Sequence, residues 1–76
     1  MSHVEILAEL TANVDEVYCH TETKRRYRLL SICKIKQVDG SWVDGVTYAP
    51  ELTFYTFYVR EIADFAEKFE LLEGDE

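Results

Sequence analysis

Two histidines, two cysteines and fifteen carboxylates are foremost among the side chains of this sequence that could move protons or hold metal ions. His20 follows Val17-Tyr18-Cys19 at the end of a β-rich run. An imidazole titrates near neutral pH and suits proton transfer, but general-base work needs an oriented partner and a substrate pocket. No recognisable motif places a Ser, Cys or carboxylate beside it, so the plainer expectation is a histidine hydrogen-bonded to the adjacent turn. His3 falls in a first helical turn and is expected to face solvent. Cys19 and Cys33 form no CxxC pair, and with His3 and His20 they fall short of a zinc spacing. Each is expected as a small buried apolar side chain; pairing would need their Cβ atoms to meet across neighbouring strands.

The carboxylates show no acid/base dyad, and Asp39 and Asp44 are better explained by turns. No P-loop, Rossmann glycine pattern or metal-ligand constellation is present. These residues predict no catalytic site, no metal and no cofactor. What remains are cations beside aromatic rings. Arg60 follows an aromatic strand and precedes an acidic helix. It reads either as an anchor paired with Glu61, Asp64 or a loop carbonyl, or as the cation of an aromatic site that grips a carboxylate or phosphate.

The elements that must position these groups follow from hydrophobic period. Ser2 to Leu10 reads as a short helix: Ser2 and Glu5 have capping-box spacing, and Ile6, Leu7 and Leu10 form an apolar stripe. Val17 to His20 is a short strand, and Arg26 to Val38 a long one. Alternation in the long strand puts Tyr27, Leu29, Ser31, Cys33 and Ile35 on one face and Arg28, Leu30, Ile32, Lys34 and Lys36 on the other. Asp39-Gly40 signals a hairpin whose central positions both take positive φ. A strand from Trp42 to Tyr48 returns, with Gly45 relaxing packing or allowing a bulge, and Pro50 ends the pairing. A last strand, Thr53 to Arg60, places Tyr55, Phe57 and Val59 on one face and Phe54, Tyr58 and Arg60 on the other. Glu61 to Phe69 is helical, with Ile62, Phe65, Ala66 and Phe69 on its apolar side. Leu71 and Leu72 either close the sheet or pack down.

This order predicts one α+β domain over 1–76: helix and turn at 1–13, sheet at 17–60, short helix and closing segment at 61–72, acidic tail at 73–76. The expected architecture is a small SH3-like, strongly curved antiparallel sheet or barrel, since closure leaves little exposed edge. At 76 residues the core supports only about 3–5 kcal/mol of net stability. No apolar run approaches the roughly 20 residues that span a bilayer, and no targeting segment is read, so the expected location is the cytoplasm, with free thiols.

Charge is segregated. Lys24, Arg25, Arg26, Arg28, Lys34 and Lys36 lie within 24–36 with no acid among them, whereas 61–76 carries seven acids against Lys68, a net of −6. The whole chain has a net charge of −7, which speaks against nonspecific binding of duplex nucleic acid.

Tyr18-Cys19-His20, Tyr27-Arg28-Leu29-Leu30, Trp42, Val46-Thr47-Tyr48, Tyr58-Val59-Arg60 and Phe65 together resemble domain-of-unknown-function family 1653, over about two thirds of the chain. The family pattern runs Y-x-H, a Y-x-v strand, a v-v-Y strand, then W-V-R-P and a following Phe. Here Thr21-Glu22-Thr23-Lys24 replaces the Lys-Gly turn, Tyr58 the Trp and Glu61 the Pro. The resemblance implies a small curved β-domain of bacterial or phage type with no established enzymatic activity.

The functional expectation is a non-catalytic acidic module that binds a protein partner, or a second copy of itself, through Trp42, Tyr48, Phe54, Tyr58 and Arg60. More rings stand in the last sheet segment than a small interior can hold, and an exposed set marks recognition. A phage-encoded inhibitor of a host protein also suits such a chain. The alternative is a small-ligand or single-stranded nucleic-acid binder using Arg25, Arg28, Lys34 and Lys36, provided these share a face with the exposed rings.

Overall fold

Ser2 caps the first helix in both directions. Its hydroxyl accepts the Glu5 N–H at 3.2 Å while Glu5 Oε1 accepts the Ser2 N–H at 2.9 Å, the reciprocal arrangement of a capping box. The computed structural model describes residues 2–53 and 55–72, and in it this cap opens α1 (His3–Ala12). So short a helix is held by docking rather than propensity. Leu10 is buried, and Ile6 and Leu7 pack against the same core. His3 is exposed as expected, yet its Nε2 lies 2.8 Å from Asp44 Oδ2, tying the start of α1 to the sheet.

Five strands follow: β1 (Val17–His20), β2 (Arg26–Lys36), β3 (Trp42–Pro50), β4 (Tyr58–Glu61) and β5 (Phe69–Leu71), with α2 (Ile62–Lys68) between the last two. They form one antiparallel sheet in the order β4-β3-β2-β1-β5. The fold is therefore α+β with two short helices on an antiparallel sheet. The sheet is open and not a barrel. The two outer strands are four and three residues long, and α2, which joins them, lays the fully buried Ile62 and Phe65 against the inner face instead of letting the edges meet.

Several sequence expectations shift by local chemistry. Pairing of β3 continues to Pro50, which faces Tyr27; a proline at a strand end removes one donor without breaking the ladder. The final strand is confined to β4, because the segment after Pro50 turns through Glu51 and Leu52. In the β2–β3 hairpin only Gly40 takes positive φ, at 93°. The Gly40 N–H closes a turn on the Gln37 carbonyl at 3.0 Å, giving a longer loop than the two-residue form expected.

The most consequential shift is a bulge in β2 between Leu29 and Ser31. One extra residue reverses the alternation beyond it. Leu29 faces Tyr48 in the core, but Ile32, not Ser31, comes next on that side, opposite buried Val46. Ser31 turns outward and meets Thr47 Oγ1 at 2.6 Å. Cys19 pairs with Arg26 while Cys33 pairs with Gly45, so the half-buried thiols are separated by roughly 23 Å of strand and both are free.

Gly45 lies where Ile35 crosses the outer face of β3. A Cβ there would run into the Ile35 side chain and stand 2.8 Å from the Arg60 carbonyl of β4. Glycine is required by this close approach, not by a bulge at its own position. Gly45→Ala is expected to destabilise the fold by about 1–3 kcal/mol through overpacking, read as a lower urea midpoint; an unchanged midpoint would mean Ile35 moves aside freely.

Candidate functional site

The β1–β2 turn is built around His20. Its Nδ1 accepts the backbone N–H groups of Glu22 and Thr23 at 3.2 and 3.3 Å. In the neutral ring the proton therefore sits on Nε2, making that nitrogen a donor. The Lys24 N–H returns to the His20 carbonyl at 2.8 Å, and the His20 N–H reaches the Arg25 carbonyl at 2.9 Å. Lys24 closes this turn at φ 65°, a left-handed geometry costing a non-glycine residue about 1–2 kcal/mol. The turn is stapled to the end of α2, where the Thr21 N–H and hydroxyl both donate to the Lys68 carbonyl.

Beside His20 the inner face carries a floor of rings. Phe69 stacks on Phe65 with centroids 4.3 Å apart and receives the edges of His20 and Tyr48 at 4.9 and 5.2 Å. Tyr27 stands edge-on to Tyr48 and Tyr58. Register explains the gathering: Tyr18 faces Tyr27 across β1–β2, and Tyr48 faces Tyr58 across β3–β4.

Arg60 crosses this floor. Its guanidinium carbon lies 5.5 Å from the Phe69 centroid, its Nε donates to Tyr48 Oη at 2.9 Å, and its Nη1 donates to Asp64 Oδ2 at 2.5 Å. Asp64 and Tyr48 hold the guanidinium pKa above its ordinary value. Arg60 in turn, with Lys68 as a second cation 3.1 Å away, holds the Asp64 carboxyl below the usual range. Among the described residues Nη2 meets no acceptor.

These side chains enclose a cleft of about 240 Å³. Among the described residues eight line it, His20, Arg25 and Arg60 included, and none of the eight is acidic. A second, more open cleft of about 350 Å³ adjoins it and shares Arg25, Tyr27 and Tyr58. Lys24 and Arg26 border that second space, and Arg26 is paired with Glu51 at 2.9 Å.

Of the residues expected to form a partner-binding patch, Tyr58 and Arg60 come together here. Tyr48 joins them as a buried wall, 4% exposed, and not as part of an exposed patch. Its ring is enclosed by Phe65 and Phe69 once the bulge in β2 has set the register. Trp42 is exposed but sits six residues along β3 from Tyr48, roughly 20 Å away, where Lys36 Nζ stands 5.7 Å from its ring. Phe54 lies outside the described residues. The basic set also divides. Arg25 borders the cleft, whereas Arg28 is on the outer face, bonded to the Asp15 carbonyl at 2.6 Å, and Lys34 pairs with Asp44. Arg28 is therefore on the face opposite Tyr58, while Lys34 and Lys36 lie opposite Asp44 and Trp42, roughly 13 and 20 Å along β3 from Tyr48.

Sequence reasoning gave Tyr27 and Phe69 no role at a site. The available signal for Tyr27 was alternation, which sets it on the same strand face as buried Leu29. Among the described residues no group of three or more His, Cys, Asp or Glu is placed to hold a metal ion, and no helix is long and apolar enough to cross a membrane. Compared with models of known families, with curated proteins and with solved structures, the chain matches none.

Proposed function

We propose that this chain is a non-catalytic recognition module whose inner cleft seats an anionic group of its ligand. The observation that carries the reading is a cleft with no acidic side chain among the described residues that line it, in a chain of net charge −7. Its donors are held in advance: His20 by the turn, Arg60 by Tyr48 and Asp64. A clamped guanidinium loses less freedom on binding than a loose one. The same features speak against catalysis, because His20 presents a donor where a general base needs an acceptor. Kinship with family 1653 belongs to this proposal, since His20, Tyr27, Tyr48, Tyr58 and Arg60, which carry the resemblance, all border the cleft.

Titration with inorganic phosphate at low ionic strength, followed by amide NMR, tests the reading. Shifts are expected to concentrate at 20–27 and 58–60 and to weaken as salt is raised. Arg25→Gln, an exposed change, is expected to weaken binding about ten-fold, the worth of one charge-assisted hydrogen bond. Uniform small shifts, or none, would refute it.

A second reading, docking of a protein partner, draws on the opposite face. There Phe57 and Val59 are exposed and Leu30 is half-buried beside Ala49. Phe57→Ser would then abolish capture of the partner while leaving phosphate binding intact.

A further inference from the structure

We infer that the ligand is a nucleotide: a phosphate monoester joined through its sugar to a planar base. This rests on the anion-binding reading above and adds the second half of the molecule. The two adjoining clefts differ in kind. The smaller is lined by His20, Arg25 and Arg60, side chains that carry N–H donors, around a space of about 240 Å³. Three such donors suit the several acceptor oxygens of a phosphate better than the two of a carboxylate. The larger, about 350 Å³, is lined by Tyr58, Tyr27, Pro50 and Leu52 together with Lys24 and the Arg26–Glu51 ion pair.

Tyr27, Tyr58 and Arg25 belong to both clefts, so a ligand with its phosphate in the first must pass the two tyrosine rings to enter the second. Tyr58 is 43% exposed and half-buried Tyr27 stands edge-on to it, with centroids 6.2 Å apart. A ring buttressed on one side and open on the other is a stacking surface for a flat base. Aromatic side chains stack on any base with little sequence preference. The site therefore selects the phosphate-to-ring connection and not the identity of the base.

Calorimetric or NMR titration of the full chain with adenosine monophosphate, adenosine and inorganic phosphate separates the parts. The nucleotide is expected to bind at least ten-fold more tightly than phosphate or nucleoside alone. Tyr58→Ala is expected to reduce nucleotide affinity to that of phosphate. Arg25→Gln is expected to weaken nucleotide and phosphate alike, and it keeps the test intact should Tyr58→Ala unfold. Glu67→Gln, on the exposed side of α2, should change neither. Equal affinity for nucleotide and phosphate overturns this inference and leaves the anion-binding reading standing. Equal affinity for nucleotide and nucleoside also overturns it. Failure of phosphate and nucleotide alike overturns both. A 5′-phosphorylated tetranucleotide separates two sources of the same chemistry: tighter binding than the mononucleotide identifies a strand end, and equal or weaker binding a free nucleotide.

Discussion

Phe65→Ala is expected to bring the chain to the edge of unfolding at 25 °C, with a large fraction of molecules unfolded. Phe65 is fully buried, stacked on Phe69 and met edge-on by Tyr18 and Tyr48 at 5.1 and 5.3 Å. Truncating a buried Phe to Ala removes about 3–5 kcal/mol through lost transfer energy and the cavity left behind. A single core of this size supplies about the same net stability, so the loss consumes the whole margin. The effect should also reach the cleft, because Phe69, which lies under Arg60 and against His20, rests on Phe65. Urea denaturation followed by far-ultraviolet circular dichroism measures it. Trp42 fluorescence would report poorly, since that ring is already 60% exposed in the folded chain. Phe65→Leu should retain the transition at a lower midpoint. A Phe65→Ala variant shifted by less than about 1 kcal/mol would show that α2 is not the lid of the core.

What the sequence reveals and conceals about this fold divides along local and non-local physics. The Ser2–Glu5 cap and the helical period of Ile62 and Phe65 depend on neighbours within a turn, and each is visible in the residues; Phe69, expected to end that helix, instead opens β5, whose pairing with β1 is non-local. The β2 bulge is not. Nothing in Leu29-Leu30-Ser31 distinguishes a bulged strand from a regular one, and a single inserted residue exchanges Ile32 for Ser31 on the inner face. Barrel closure was overestimated for a related reason: strand count shows how much edge exists but not that α2 covers the inner face between β4 and β5. At the site, alternation correctly puts Tyr58 and Arg60 on one side and Phe57 and Val59 on the other. It does not reveal that Tyr48 is enclosed while Trp42 is stranded at the hairpin's far end. That depends on cross-strand register, which brings Tyr58 to Tyr48 and leaves Trp42 beside Lys36. Charge clustering in sequence misled in the same way, because alternate residues of a strand face opposite directions and Arg28 is carried away from Arg25.

Arg60→Met is expected to abolish anion binding and to cost about 1–3 kcal/mol of stability, the penalty of leaving a buried hydroxyl without its partner. The side chain is 30% exposed and holds two acceptors at once, Tyr48 Oη and Asp64 Oδ2. Methionine keeps the unbranched apolar stem and loses both bonds. The stability loss should fall mainly on Tyr48, whose ring is buried and whose hydroxyl takes the Nε proton. If so, Tyr48→Phe removes the orphaned group, and Arg60→Met becomes milder in that background. A double-mutant cycle is expected to give a coupling of about 1 kcal/mol between the two sites, whereas additivity would mean the Tyr48 hydroxyl finds another partner. Acid supplies an independent readout of the second bond. Because Arg60, and secondarily Lys68, hold the folded-state pKa of Asp64 below its unfolded value, the ion pair's contribution is complete at neutral pH and is lost as pH falls through that lowered value. The stability gap between the reference chain and Arg60→Met should therefore be widest near pH 7 and narrow below about pH 4. A gap independent of pH would assign the whole effect to Tyr48. Arg60→Lys separates charge from geometry: a single ammonium on a flexible stem keeps the cation but cannot bridge both acceptors and still present a free edge to the cleft. Stability close to that of the reference chain with anion affinity reduced about ten-fold is the expected result, because the cleft depends on a guanidinium held from behind and not on positive charge alone.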